Sequence, residues 1–296
     1  MSRTWLGHLR WALLALCLGC PRNTVPPPTS RPTLATVDII AVGHGDAILV
    51  TSAAGKRLLI DGGEAEAAPV VLARLRSRFA CPLDLILLSH PHADHLGGLA
   101  RVMEDCGARL YMDGGYRHDS RLYARLLEVV EELGIPLLRA EAGRQIDLGS
   151  GVVLTLLGPP RPFLEEGADG VNASSVVTRL QVGRSSVLFA GDATAPEENW
   201  LLGQGVGLRS TVLKVGHHGS RSSSTAGFLA AVAPRLAVIS NWPNAPKHPH
   251  PETLERLRAV KAQVLETARE GTITIELDGE GVTWSSVNHP RKVPLP

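Results

Sequence analysis

Leu85-Ile86-Leu87-Leu88-Ser89-His90-Pro91-His92-Ala93-Asp94-His95-Leu96-Gly97-Gly98 is the stretch on which the reading of the chain depends. An apolar run, Leu85 to Leu88, ends in a cluster of potential metal ligands: His90, His92, Asp94 and His95. Two glycines follow, and then an amphipathic segment. The run is short and bounded by turn residues, so it reads as a buried strand. The cluster is a tight loop at its C-terminal end, and the glycines mark the turn into a helix. Imidazole and carboxylate donors suit zinc, and also manganese or iron. Two histidines at spacing two cannot share a helix face, so this is a loop site rather than a His-Glu-x-x-His helix.

Working upstream, residues 36–42, 47–51 and 56–60 are predicted strands joined by glycine turns, and residues 69–79 have helical spacing. Downstream, residues 96–106 and 121–133 are predicted helices around a strand at 109–112. Strands follow at 136–138 and 152–157, and a proline-containing loop at 158–170. Residues 175–182 and 186–189 form a predicted hairpin about Gly183 that ends in Gly191-Asp192. A helix at 196–202 leads to a strand at 211–215, which ends in Gly216-His217-His218-Gly219-Ser220. Helices at 226–232 and 252–260, strands at 236–240 and 263–265, and a hairpin of 272–277 with 282–285 complete the pattern. The strands fall in two blocks, with helices between and after them. That pattern predicts an α/β (α+β) fold in four layers, an αββα sandwich of two facing sheets each covered by helices.

With 296 residues, 44% of them apolar, the chain can bury a large core. The formal net charge of +1 gives no global field toward nucleic acid or anionic membranes. Aromatic residues, at 4%, are too few for a base-stacking platform.

Residues 1–20 have a basic start and an apolar run from Trp11 to Leu18, too short to span a bilayer, and read as a secretion signal. Cys17-Leu18-Gly19-Cys20 resembles a lipoprotein cleavage site with Cys20 as the lipidated residue. The expected location is therefore the bacterial envelope, anchored only through lipid, or otherwise the periplasm or medium. Residues 21–33 are Pro-, Thr- and Ser-rich, an extended linker. The folded domain is expected at 34–287, with 288–296 as a tail. In an oxidising compartment Cys81 and Cys106 can pair if the strands that follow them are parallel neighbours. Two buried thiols are the alternative.

Five segments in order, 42–47, 60–63, 89–98, 189–192 and 213–220, together with a sixth at 244–249, make the chain similar to the metallo-β-lactamase superfamily. Within it the chain resembles the C-terminal hydrolase-like domain of the ComEC competence proteins, over about residues 36–286 and without their membrane channel. The resemblance implies a four-layer αββα metallo-β-lactamase sandwich with two divalent ions, zinc or manganese, at one edge. By that likeness His90 and His92 bind the first ion, Asp94 and His95 the second, Asp192 bridges them, and His217 or His218 completes the second site. Such a pair of ions can hold a metal-bound hydroxide and stabilise developing negative charge. Asp94 and Asp192 are thus the expected catalytic carboxylates, with His248 as a proton donor to a leaving group.

Asp46 and Asp61 are expected to orient metal-binding histidines, with turn or capping roles as the alternative. Many superfamily members carry a third histidine on the first metal. Here the one histidine between His95 and His217 is His118, and Asn172 or water is the implied substitute. Ser220 and Ser222, with Ser223 and Ser224, precede a helix and could hold a phosphate at its N-terminus. Ordinary capping is the alternative.

The expected function is an exported metal-dependent hydrolase acting on a small-molecule or nucleic-acid phosphodiester. Hydrolysis of another ester, a thioester, a lactone or a β-lactam is the second reading. A non-catalytic, metal-bearing accessory or DNA-binding lipoprotein is the third. No protein partner is indicated.

Overall fold

A computed structural model describes residues 32–164, 170–243, 245 and 248–295. The expected signal segment, Cys20 and nearly all of the linker lie outside these residues, as does Asn244.

Six strands open the domain: β1 (Ala35–Ile39), β2 (Ile48–Ser52), β3 (Arg57–Ile60), β4 (Leu85–Leu88), β5 (Tyr111–Asp113) and β6 (Leu137–Arg139). The chain then builds a second sheet from β7 (Gln145–Asp147), β8 (Val152–Leu156), β9 (Thr178–Val182), β10 (Ser185–Phe189), β11 (Val212–Lys214), β12 (Leu236–Ile239) and β13 (Gln263–Glu266). Finally β14 (Ile273–Leu277), β15 (Val282–Ser286) and β16 (Val293–Pro294) return to the first sheet. The first sheet runs β16-β15-β14-β1-β2-β3-β4-β5-β6 and the second β13-β12-β11-β10-β9-β8-β7. From β3 to β6, and from β10 to β13, neighbouring strands are parallel.

Why the central strands read as unbroken apolar runs is now plain. In β3 and β4, Leu58, Ile60, Leu85 and Leu87 face the second sheet, where they meet Leu154, Leu180, Phe189 and Val238 in one core. Leu59, Ile86 and Leu88 face the other way, onto α1 (Ala68–Ser77), α3 (Leu99–Cys106) and α4 (Arg121–Glu132). Strands buried on both faces cannot alternate with polar residues. The second sheet is covered in the same way: Leu188, Leu213 and Ile239 pack on α5 (Ala195–Gly203), α6 (Ala226–Val232) and α7 (Pro251–Ala259). These are the four expected layers.

Some elements differ from expectation, among them β7, which the sequence reading did not include. The helix expected at 96–106 is two, α2 (Ala93–Leu96) and α3, broken at Gly97-Gly98. A side chain at Gly98 would stand 2.3 Å from the Gly62 carbonyl oxygen, so the loop after β3 can press on this turn only because glycine occupies it. The expected tail carries β16, which pairs with β15. A short α8 (Thr267–Glu270) was not legible from periodicity. Cys81 and Cys106 form a disulfide, beside the parallel bridge of Leu83 with Ala108. No helix among the described residues is long and apolar enough to cross a membrane.

Candidate metal centre

The C-terminal ends of β3, β4, β10 and β11 open onto one rim, and the segments after them carry Asp61, His90 and His92, Asp94 and His95 on α2, Asp192, and His217-His218 in a 3-10 turn. Asp94 Oδ2 lies 3.5 Å from His95 Nε2 and 3.2 Å from His218 Nε2. Asp192 places Oδ1 3.4 Å from His95 Nε2 and Oδ2 3.6 Å from His218 Nε2. These four residues form one compact group of potential metal ligands. Two donors each about 2.1 Å from one ion at tetrahedral angles stand about 3.4 Å apart, so the spacing suits a shared cation. His95 Nε2 and Asp192 Oδ1 are buried without a hydrogen-bond partner. Such orphaned groups are costly unless something else satisfies them.

A second set adjoins the first through the same carboxylate. His90 Nε2 is 3.1 Å from His92 Nδ1 and 3.8 Å from Asp192 Oδ2. Asn172 occupies a buried 3-10 turn (Asn172–Ser174), and its Oδ1 is also buried without a partner. His118 lies beyond His92, with ring centroids 5.9 Å apart.

The geometry separates the His-His pair. Both residues adopt positive φ, 49° at His217 and 51° at His218, and their ring centroids stand 6.3 Å apart with the planes 77° from each other. His218 is buried and joins Asp94 and Asp192, while its Nδ1 is 3.2 Å from the Ser240 carbonyl oxygen. His217 is 21% exposed, with Nε2 3.8 Å from Asp192 Oδ2 and Nδ1 3.4 Å from Ser222 Oγ.

Support from behind comes from two carboxylates. Asp61 Oδ2 accepts from His95 Nδ1 at 2.8 Å, and its oxygens also accept from the Ser89 amide and hydroxyl. Asp46 Oδ2 pairs with Lys214 Nζ at 2.7 Å, and Oδ1 is 3.8 Å from His218 Nδ1. Gly45 holds this loop against the ligands, since at φ 101° a side chain there would meet the Asp94 carbonyl oxygen at 1.8 Å.

Electrostatics follow from burial against charge. Burial alone would raise Asp192, yet His218 and His95 hold it well below the usual carboxylate range. Burial would likewise lower His95, yet Asp192, Asp94 and Asp61 push it well above an ordinary imidazole. His90 goes the other way, lowered by burial and by His95. The carboxylates that draw a proton onto His95 would equally draw a dication, whose binding requires that ring to be neutral and so displaces the proton.

At the rim, burial and the neighbouring His217 and His218 push His248 down to about 4. Its ring is therefore neutral at pH 7 before substrate binds. Ser220 and Ser222 hydroxyls lie 3.0 Å apart. The start of α6 is not open to a phosphate: the Ser224 and Thr225 amides donate to Glu198, and Thr225 Oγ1 caps the Phe228 amide.

Four residues escaped the sequence reading. His44 Nε2 is 3.4 Å from Asp94 Oδ2, and its ring packs on Trp242 with centroids 4.3 Å apart. Its signal is a histidine set between two turn glycines, Gly43 and Gly45. Lys214 is fully buried, and a lysine inside an apolar strand announces a buried partner. Glu197 accepts from the Ser175 amide, and the Ser175 hydroxyl accepts from the Asp192 amide. Nothing in the pattern of α5 marks Glu197 as buried.

A sequence profile of the metallo-β-lactamase superfamily matches residues 40–241. "Competence protein ComA" of Neisseria gonorrhoeae is 31% identical over 280 residues, 94% of this chain and 37% of the relative. "ComE operon protein 3" of Bacillus subtilis is 27% identical over 268 residues, 84% of this chain and 34% of the relative. The chain thus spans about a third of the length of these relatives. Among solved structures, CmlA, a diiron β-hydroxylase from Streptomyces venezuelae, superposes with a TM-score of 0.55 at 17% identity, over 83% of this chain and 55% of CmlA. That likeness concerns the fold alone.

Proposed function

The chain belongs to the metallo-β-lactamase superfamily, and from that premise we propose that it is an exported hydrolase that uses two divalent ions, zinc or manganese, to cleave a phosphodiester. The observation that carries the reading is Asp192, a single buried carboxylate shared by the Asp94-His95-His218 set and the His90-His92 set. When bound, the two ions would polarise a phosphoryl oxygen and lower the pKa of an attacking water.

The protein's own groups do the rest. Asp61 fixes which nitrogen of His95 faces the centre. The Ser240 carbonyl and Asp46 do the same for His218. His217 and His248 flank the open side, ring centroids 5.8 Å apart, where a leaving group would stand. His248 is neutral there, so it can hydrogen-bond a leaving oxygen but gains a proton to transfer only after substrate charge arrives.

Nucleic acid as the substrate is supported by relatives named for competence and, in Haemophilus influenzae, for recombination. Export is supported by the Cys81–Cys106 disulfide, a bond that persists in oxidising compartments. The test is turnover of bis-p-nitrophenyl phosphate and plasmid DNA with Mn²⁺ or Zn²⁺, beside a chromogenic cephalosporin and a carboxyl ester. Phosphodiester turnover that disappears in His92→Ala and Asp192→Asn is expected. Turnover of the cephalosporin or ester alone would reject the substrate class.

A further inference from the structure

Four arginines meet at the opposite end of the second sheet. Arg179, Arg184, Arg209 and Arg235 line a cavity of about 400 Å³ together with Ser186 and Thr211. Ser186 is the second residue of β10, and Thr211 and Arg235 precede β11 and β12, whereas the candidate metal ligands follow the far ends of β10 and β11. At about 3.3 Å per residue, Ser186 at the cavity's far end lies roughly 20 Å from Asp192.

Its charge is poorly compensated. Arg184 pairs with Glu280 at 3.5 Å. Arg179 Nε donates to the Arg209 carbonyl at 3.0 Å and to Ser210 Oγ at 3.2 Å, which fixes the guanidinium but brings no negative charge. Among the described residues, no carboxylate pairs with Arg179, Arg209 or Arg235. Four cations against one carboxylate, 4 − 1, leave a formal +3 on one concave surface. Like charges so confined repel unless an anion joins them. Guanidinium forks match phosphoryl oxygens. Thr211 Oγ1 accepts from the Ser186 amide at 3.3 Å, which leaves its O–H free to donate.

We propose that this cavity binds a small oligophosphate, a ligand with two or more linked phosphoryl groups and about three negative charges. A single phosphate group carries at most about two and would leave the surface cationic. The volume falls in the small-molecule range. The site is separate from the metal centre and needs no metal.

The experiment is calorimetric titration of the whole protein with inorganic pyrophosphate, with orthophosphate and a ten-nucleotide single strand as further arms. Pyrophosphate binds at least about tenfold more tightly than orthophosphate. Arg209→Gln/Arg235→Gln weakens it at least about tenfold at an unchanged melting temperature, since both side chains are exposed. Asp192→Asn leaves it intact, and pyrophosphate slows hydrogen exchange at residues 179–186 and 209–211. Equal pyrophosphate binding by wild type and the double variant overturns the proposal, as does loss of binding in Asp192→Asn. Arginine-dependent binding of the single strand more tightly than pyrophosphate also overturns it.

Discussion

Asp61 Oδ2 accepts a hydrogen bond from His95 Nδ1 at 2.8 Å, and the ring so fixed turns Nε2 toward Asp94 and Asp192. One carboxylate at the end of β3 thereby selects the tautomer of a ligand at the end of β4. Removing such a support typically costs 10–100-fold in metal affinity. Asp61→Asn keeps the side-chain shape and loses the charge. We expect it to fold and to lose the ion held by Asp94, His95 and His218 about tenfold more readily to a chelator, read by metal-indicator competition. Unchanged competition would show that Ser89 alone suffices to hold the ring.

His217 and His218 should separate in their variants. His218→Ala removes a buried donor that sits 3.2 Å from Asp94, so bound metal should fall by about one ion per chain. His217→Ala, at the exposed rim, should retain both ions and lower kcat. Metal content by mass spectrometry beside steady-state kinetics checks both. Metal loss in His217→Ala with none in His218→Ala would reverse the assignment.

Acid stability should report on Asp38, which is 1% exposed and accepts from Arg74, Arg78 and Thr274. Burial opposes its ionisation, but the hydrogen bonds from Arg78 and Arg74 outweigh burial and hold the carboxyl below its ordinary value. An acid with a depressed folded pKa stabilises fully above its unfolded pKa of about 3.9, and that contribution is lost as pH falls through the folded value. Asp38→Asn should therefore be less stable at pH 7 by about 3 kcal/mol, the low end for a broken buried pair because both arginines reach solvent. The gap should be flat from pH 7 to 5 and narrow below about pH 4. Urea midpoints across that range test it, and a gap that widens with acid would contradict the pairing.

The Cys81–Cys106 bond spans 25 residues of sequence and ties the segment before β4 to the end of α3. A loop of that length stabilises by about 3.5 kcal/mol in the chain-entropy account. Reductant should lower the melting temperature by roughly 10 °C in a domain of this size. Melting curves with and without reductant, beside thiol titration, give the answer. Two freed thiols at an unchanged melting temperature would contradict it.

How much of this was legible in the sequence depended on distance along the chain. The strand from Leu85 to Leu88 and the ligands just after it were readable because periodicity and donor chemistry sit side by side. Asp192 and the His217-His218 pair were readable because each follows an apolar run, and their union with the motif rested on resemblance. The choice between His217 and His218 was not readable, since it depends on the positive φ of both residues. His44 stayed hidden because its partner Asp94 is fifty residues away. Glu197 stayed hidden because a glutamate in the first turn of a helix is ordinarily exposed. The need for glycine at position 98 was not readable, since it comes from the close approach of the Gly62 carbonyl, which no local pattern encodes.

The central claim is that Asp192 joins two metal sites, and anomalous diffraction from crystals grown with zinc or manganese tests it most directly. Two peaks about 3.5–4 Å apart are expected. One should lie about 2.0–2.2 Å from Asp94 Oδ2, His95 Nε2 and His218 Nε2, the other at His90 Nε2 and His92 Nδ1, with Asp192 touching both. No peak at this rim, or peaks that leave Asp192 without a metal contact, would contradict the account.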